Sequence, residues 1–169
     1  MSKEYEIASV KRRFLAFCID FVIIFLLWYL ITTDDLAKVN NLLKTLDPEE
    51  SGSLEIFIQA VFKMYVSFFF KWFFISVLTY TLIPAIIGKG KTIGKLLVGI
   101  SLVSSDTGEE ISPTKLFLRE AFFRNLLEVC LVIPGIISII MMIYRSDSKM
   151  IHDYFTKSIV IRESSFTTY

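Results

Sequence analysis

Two carboxylates stand inside long apolar runs of this chain. Asp20 interrupts residues 14–31, FLAFCIDFVIIFLLWYLI, and Glu128 interrupts residues 126–144, LLEVCLVIPGIISIIMMIY. An aspartate at the centre of a membrane-inserted helix costs about 2.5–3.5 kcal/mol, which makes such a residue a functional-site candidate by default. A carboxylate withdrawn from water has a raised pKa and can exchange a proton for another cation. Asp20 and Glu128 are therefore the candidate ion- or proton-binding groups. Arg13 is the cation nearest to Asp20, seven residues earlier. That spacing is close to two helical turns, so the two share a face but lie about 10 Å apart along the axis. Each must find its partner elsewhere in the chain. The expected pairs are Arg13 with Asp153 and Asp20 with Arg119 or Arg124, which makes Arg13, Asp20, Arg119, Arg124 and Asp153 a charge network.

Other chemistries are excluded by what is missing. His152 is the sole histidine, so no His-rich metal centre and no H-E-x-x-H site can form. No G-x-S-x-G nucleophile elbow is present. Gly90-Lys91-Thr92 resembles the end of a phosphate-binding loop, but the first glycine such a loop requires is replaced by Ala85. The turn Gly88–Lys95 reads instead as a basic loop, with Lys89, Lys91 and Lys95 able to touch anionic lipid. The expectation is a protein that is not an enzyme, with no metal and no cofactor.

The elements that position these residues are set by hydropathy. The chain has 169 residues, of which 54% are hydrophobic and 16 are phenylalanine. Mean hydropathy is +0.60. With long uncharged runs, this composition describes one integral membrane domain spanning residues 1–169. The net charge of +1 gives no bulk attraction for nucleic acid. Partners are expected to be the lipid bilayer and either a second copy of the chain or another membrane protein. Cys18 and Cys130 both lie in apolar stretches and read as small buried hydrophobes rather than a disulfide.

Lys11-Arg12-Arg13 precedes the first apolar run, which predicts a cytoplasmic N-terminus and a first span over residues 14–31. Residues 32–55 read as a polar outer loop, with a short helix between Asp34 and Lys44. Residues 54–87 are too long for one upright span: a helix of this length is about 51 Å, against a hydrocarbon core of ~30 Å. Glu55, Gln59, Lys63, Ser67 and Lys71 recur every four residues. They suggest an amphipathic helix with snorkelling lysines or, alternatively, a lysine lining a polar cavity with Asp20. A second span follows at about 70–87, kinked near its inner end by Pro84.

Residues 97–112 turn to β-branched residues and a turn at Asp106-Thr107-Gly108, which predicts a small cytoplasmic hairpin. Ser158–Arg162 is a similar run, and Leu102 and Val160 are expected to lie close in a pairing of the two. Ser112 and Pro113 start a further helix as N-cap and first residue. That helix carries Lys115, Arg119, Glu120 and Arg124, and reads as interfacial and amphipathic. Residues 126–144 are broken by Pro134-Gly135. A kinked third span and a re-entrant hairpin turning at that dipeptide are both open. The fold class is thus an all-α membrane protein with two transmembrane helices, a Pro-Gly-broken third apolar segment and a small strand pairing.

These residues together resemble the RDD family of small bacterial membrane proteins. Arg13-Phe14-Leu15-Ala16-Phe17-Cys18-Ile19-Asp20 is similar to the family's opening R-x-x-A-x-x-I-D signature. Thr92-x-Gly94-Lys95-x-x-x-Gly99-Ile100 resembles its middle element, and Leu118-Arg119-Glu120 with Arg124 resembles the arginine-bearing helix that follows. Asp147, Lys149 and His152-Asp153 resemble its closing element, with Asp153 as the second named aspartate. A threonine of the family pattern is matched here only by Ser158. The resemblance implies a multi-pass protein of the bacterial cell membrane and a role in transport of a small ion or solute, with cation/proton exchange through Asp20 as its concrete form. The alternative is an accessory or regulatory membrane protein in which the charge network is structural.

Overall fold

The computed structural model describes the backbone of residues 6–47, 52–129 and 132–163, and the side chains of all of these except 125–129 and 132. The chain is mostly helical and falls into two compact units, Met1–Val22 with Ser76–Tyr169, and Ile23–Ile75. Helix α1 covers Val10–Thr45 and α2 covers Ser53–Val77. A π-helical turn, Leu78–Leu82, joins α2 to α3, Ile83–Ile87. Then come α4 (Ile93–Val98), β1 (Ile100–Ser104) and α5 (Pro113–Phe117), which runs into a π-helical segment, Leu118–Val129. Helices α6 (Val132–Tyr144) and α7 (Ile151–Phe155) lead to β2 (Ser158–Arg162).

Two expected helix ends are corrected. The first helix does not stop at residue 31 but continues through the polar stretch to Thr45. Nothing in residues 10–45 is glycine or proline, and Thr32 and Thr33 bond their hydroxyls back to carbonyls one turn earlier. The second apolar stretch is likewise one helical rod, Ser53–Ile87, rather than a surface helix followed by a separate span. Pro84 does disturb it, in a specific way. Proline lacks an N–H and its ring crowds the carbonyl four residues back, here Tyr80. The turn before it relaxes to π-winding, in which the Ile83 N–H bonds the Leu78 carbonyl five residues back.

Within the unit Ile23–Ile75, α1 and α2 run antiparallel. Trp28 donates its indole N–H to the Phe68 carbonyl at 3.2 Å and meets Phe68 and Trp72 edge to face. Lys71 donates to Asp35 Oδ2 at 2.7 Å and to the Ile31 carbonyl at 2.8 Å, and Ser67 donates to the same carboxylate oxygen. Lys71 is thus held by Asp35 on the neighbouring helix.

In the other unit, β1 and β2 form an antiparallel pair in which Leu102 stands opposite Val160, the expected neighbour. Residues 6–8 cover the free edge of β2: the Ala8 N–H bonds the Val160 carbonyl at 3.0 Å, and the Arg162 N–H bonds the Glu6 carbonyl at 2.9 Å. Val103 bridges Glu110 on the far side of β1, the Ser104 N–H bonds the Glu109 carbonyl at 2.9 Å and the Gly108 N–H bonds the Ser104 carbonyl at 2.9 Å, so the expected hairpin forms only around its turn. A two-stranded sheet is marginal alone. Here Ala8, Ala16, Ile100, Leu102, Leu116 and Val160 bury together against it, and each large one contributes about 1.5–3 kcal/mol.

The third apolar segment does not reverse at Pro134-Gly135. Both residues lie in the first turn of α6, where backbone N–H groups have no intrahelical partner and proline removes nothing. The re-entrant turn at that dipeptide is therefore not formed. Ser112 caps α5 by accepting from the Lys115 N–H, with Pro113 behind it. The winding that follows is π rather than α, so the helical spacing that placed Arg119, Glu120 and Arg124 on an interfacial surface does not hold. Arg119 is 3% exposed and Glu120 0%.

Candidate functional site

The site is built where the first turns of α1, the start of α4, the π-segment and α7 converge, all within one unit. It begins with Asp20. Thr92 accepts from the Lys95 N–H as N-cap of α4 and donates its own hydroxyl to Asp20 Oδ2 at 2.6 Å. The Gly94 N–H donates to Asp20 Oδ1 at 2.7 Å. Both oxygens of this buried carboxylate are thus satisfied by a hydroxyl and a backbone amide. The expected cation partner, Arg119 or Arg124, is not what holds Asp20. A Cβ on residue 94 would lie 2.2 Å from the Ala16 carbonyl oxygen and 2.9 Å from the Asp20 carboxylate. Glycine is needed there for α4 to reach α1.

Asp153 is the second anchor. Arg119 donates to Asp153 Oδ1 from Nε at 3.0 Å and from Nη2 at 2.7 Å. The Met150 N–H and the Ser158 hydroxyl also donate to this carboxylate, at 3.1 and 3.2 Å. Arg13 Nη1 lies 3.8 Å from Asp153 Oδ2. The Arg13 guanidinium spends its hydrogen bonds on carbonyls: Ala8, Ser148 and Val160. One side chain on α1 thereby grips the leading segment, the loop before α7, and β2. Arg119 Nη2 also lies 3.0 Å from His152 Nε2.

Glu120 joins the cluster, although its place in a charged helical stretch gave it a surface reading. It accepts from Arg119 on Oε1 and from Arg124 on Oε2, the latter at 2.9 Å, and Lys95 Nζ stands 3.7 Å away. Arg124 lies over the Tyr80 ring, 3.9 Å from its centroid. Thr92, Gly94 and Lys95 sit in the middle motif, but their roles emerge only when α4 docks on α1. The side chain of Glu128, the other expected ion-binding carboxylate, lies outside the described residues.

The electrostatics follow from burial and pairing. Burial alone would push the Glu120 carboxyl up, but Arg119, Arg124 and Lys95 outweigh it and hold it well below the usual carboxylate range. Burial acts on Asp153 in the same direction and is likewise overcome, chiefly by Arg119. For Lys95 burial wins: the ammonium falls to about 8 despite Glu120. Among the described residues four cations, Arg13, Lys95, Arg119 and Arg124, gather around three carboxylates, Asp20, Glu120 and Asp153.

A cavity of about 270 Å³ lies against this cluster. Its polar wall includes Arg13, Asp20, Lys95, Arg119, Arg124 and Asp153, and its apolar wall includes Phe14, Phe17, Ile139 and Met142. Among the described residues no group of three or more His, Cys, Asp or Glu side chains is placed to hold a metal ion.

The family model described as the RDD family matches residues 7–157, nearly the whole chain. No curated protein and no solved structure matches it. The match runs from the segment that covers β2 to the turn that precedes it, so it contains every residue of the charge cluster. The chain belongs to that family, whose members are membrane proteins.

Proposed function

We propose that this member of the RDD family is a multi-pass protein of the cell membrane with a cytoplasmic N-terminus, and that its buried charge cluster is a structural lock. In this reading α1 and α2–α3 carry the membrane-crossing stretches. The cluster fastens the tail, from α7 to β2, onto the start of α1. The protein acts as a non-transporting accessory or regulatory component, with another membrane protein or a second copy of itself as partner and no catalysed reaction.

The observation that carries this is the use of Asp20 as a joint. Thr92 and Gly94, on the turn that starts α4, each donate to one oxygen of this buried carboxylate, so it ties α4 to α1. Asp153 is bound still more completely. The lengths and apolarity of Val10–Thr45 and Ser53–Ile87 support membrane insertion. So does the exposure of Phe14, Leu30, Phe62, Phe74 and Ile86 along them.

A second reading, exchange of a proton for a small cation at Asp20, is favoured by the cavity that Asp20 lines. Flux separates the two. Purified protein in liposomes under a pH gradient, with Na⁺, K⁺ or Li⁺ inside, should move no more protons than empty liposomes. Cation-dependent proton movement that Asp20→Asn abolishes in a folded protein supports exchange instead.

A further inference from the structure

We infer that the cavity beside the charge cluster binds the oxyanion headgroup of an anionic lipid, with the acyl chains leaving past Phe14, Phe17 and Ile139. Three features point there. The first is charge. The two carboxylates that line the cavity are already committed, Asp20 to Thr92 and Gly94, Asp153 to Arg119, Met150 and Ser158. Among the described residues that line it, four cations, Arg13, Lys95, Arg119 and Arg124, stand against these two carboxylates, and an oxyanion is the complementary charge.

The second is donor capacity. Among the described residues Lys95 Nζ makes one hydrogen bond, a long one of 3.3 Å to the Gly90 carbonyl, and stands 3.7 Å from Glu120. An ammonium offers three donors, so this buried lysine has capacity for an acceptor in the cavity it lines. Charge-assisted bonds of this kind are roughly twice as strong as neutral ones. Guanidinium and ammonium groups facing one space suit a phosphate or carboxylate and repel a cation.

The third is shape. The volume of about 270 Å³ is just under the range of roughly 300–1,000 Å³ that encloses a drug-sized ligand. It accommodates a headgroup and not a whole lipid. Phe14, Phe17 and Ile139 line the cavity and are themselves 59%, 44% and 50% exposed, so the route out is apolar. Basic pockets beside membrane helices hold anionic headgroups by the same physics. The assignment rests on the membrane placement proposed above, and retention of the chain in membranes after alkaline extraction tests that placement separately.

The test uses the full chain in a non-ionic detergent and reads its thermal unfolding midpoint against added ligand. The probes are dihexanoyl-phosphatidylglycerol, dihexanoyl-phosphatidylcholine and inorganic phosphate. Phosphatidylglycerol should raise the midpoint saturably, with a half-maximal concentration at least about tenfold below that of either other probe. Ile139→Trp, which fills the exit and touches no charge, should weaken that response about tenfold, and Lys95→Gln should weaken it similarly. Equal responses to phosphatidylglycerol and phosphatidylcholine overturn the inference, as does no response to phosphatidylglycerol. A response to phosphate as strong as that to phosphatidylglycerol also overturns it, by making the ligand a free anion. The wild-type comparison decides the matter even if both variants fail to fold.

Discussion

The Gly94 amide donates to the Asp20 carboxylate at 2.7 Å, in a contact so close that a methyl group on residue 94 would strike both Asp20 and the Ala16 carbonyl. Two motifs 74 positions apart in the chain are therefore one joint. Gly94→Ala should open that joint. Overpacking a fitted contact costs about 1–3 kcal/mol, and here the lost Asp20 bond adds to it. A drop in the unfolding midpoint clearly larger than that of Ala16→Gly, which removes bulk from the same joint, is the expected result.

Asp20→Ala should destabilise by removing an acceptor, not an ion-pair partner. It leaves the Gly94 N–H and the Thr92 hydroxyl buried without that partner, at about 1–3 kcal/mol for each unsatisfied group. Asp20→Asn keeps one acceptor and should lose roughly half as much. Urea unfolding of the two variants in one detergent reads the difference. Equal losses would mean that the charge of Asp20, rather than its hydrogen bonds, matters.

Arg119→Met should be among the most damaging single changes, because it removes the cation that Glu120 and Asp153 share and leaves Asp153 with Arg13 at 3.8 Å as its nearest cation. Breaking a buried pair from one side costs about 3–5 kcal/mol. Adding Asp153→Leu to Arg119→Met should restore part of the stability, since it removes the buried carboxylate that lost its bidentate partner. A double variant less stable than either single one would contradict the pairing.

The buried charges also set a pH profile. Glu120 and Asp153 have folded-state pKa values below their unfolded ones. Their contribution is therefore complete above the ordinary carboxylate range, about 4, and is lost as pH falls below it. Lys95 is depressed from 10.5 to about 8. Between those two values the unfolded chain holds a proton that the folded one has released, so this group makes stability rise with pH across that window. Unfolding midpoints from pH 3 to pH 10 should show the acid loss, and Lys95→Met should flatten the alkaline rise.

Much of the unit that holds β1 and β2 was legible because its signals are local. Ser112-Pro113 is a cap followed by a helix-starting proline, and the β-branched runs at 100–104 and 158–162 alternate as strands do. The opposition of Leu102 and Val160 follows from those runs. Disulfide formation in Leu102→Cys with Val160→Cys checks that register, and a one-residue shift of the second cysteine should abolish it. The helix ends were not legible, since a polar stretch such as 32–45 that lacks glycine and proline can turn outward and remain helical. Arg119, Glu120 and Arg124 were misplaced on a surface because 3.6-residue periodicity does not describe π-winding. The partners of Asp20 are not legible in the charge pattern, because a backbone N–H and a threonine hydroxyl carry no charge.

The central claim is that the cluster fastens the tail to α1. Hydrogen exchange at the β2 amides, Ser158–Arg162, measures this directly in the folded protein. In the wild type these amides should be protected together with Ala8, whose N–H bonds the Val160 carbonyl. In Arg119→Met both sets should lose protection together, while α1–α2 amides between residues 23 and 75 keep theirs. Undiminished protection of β2 in a protein that has lost Arg119 would show that the tail is held without the lock.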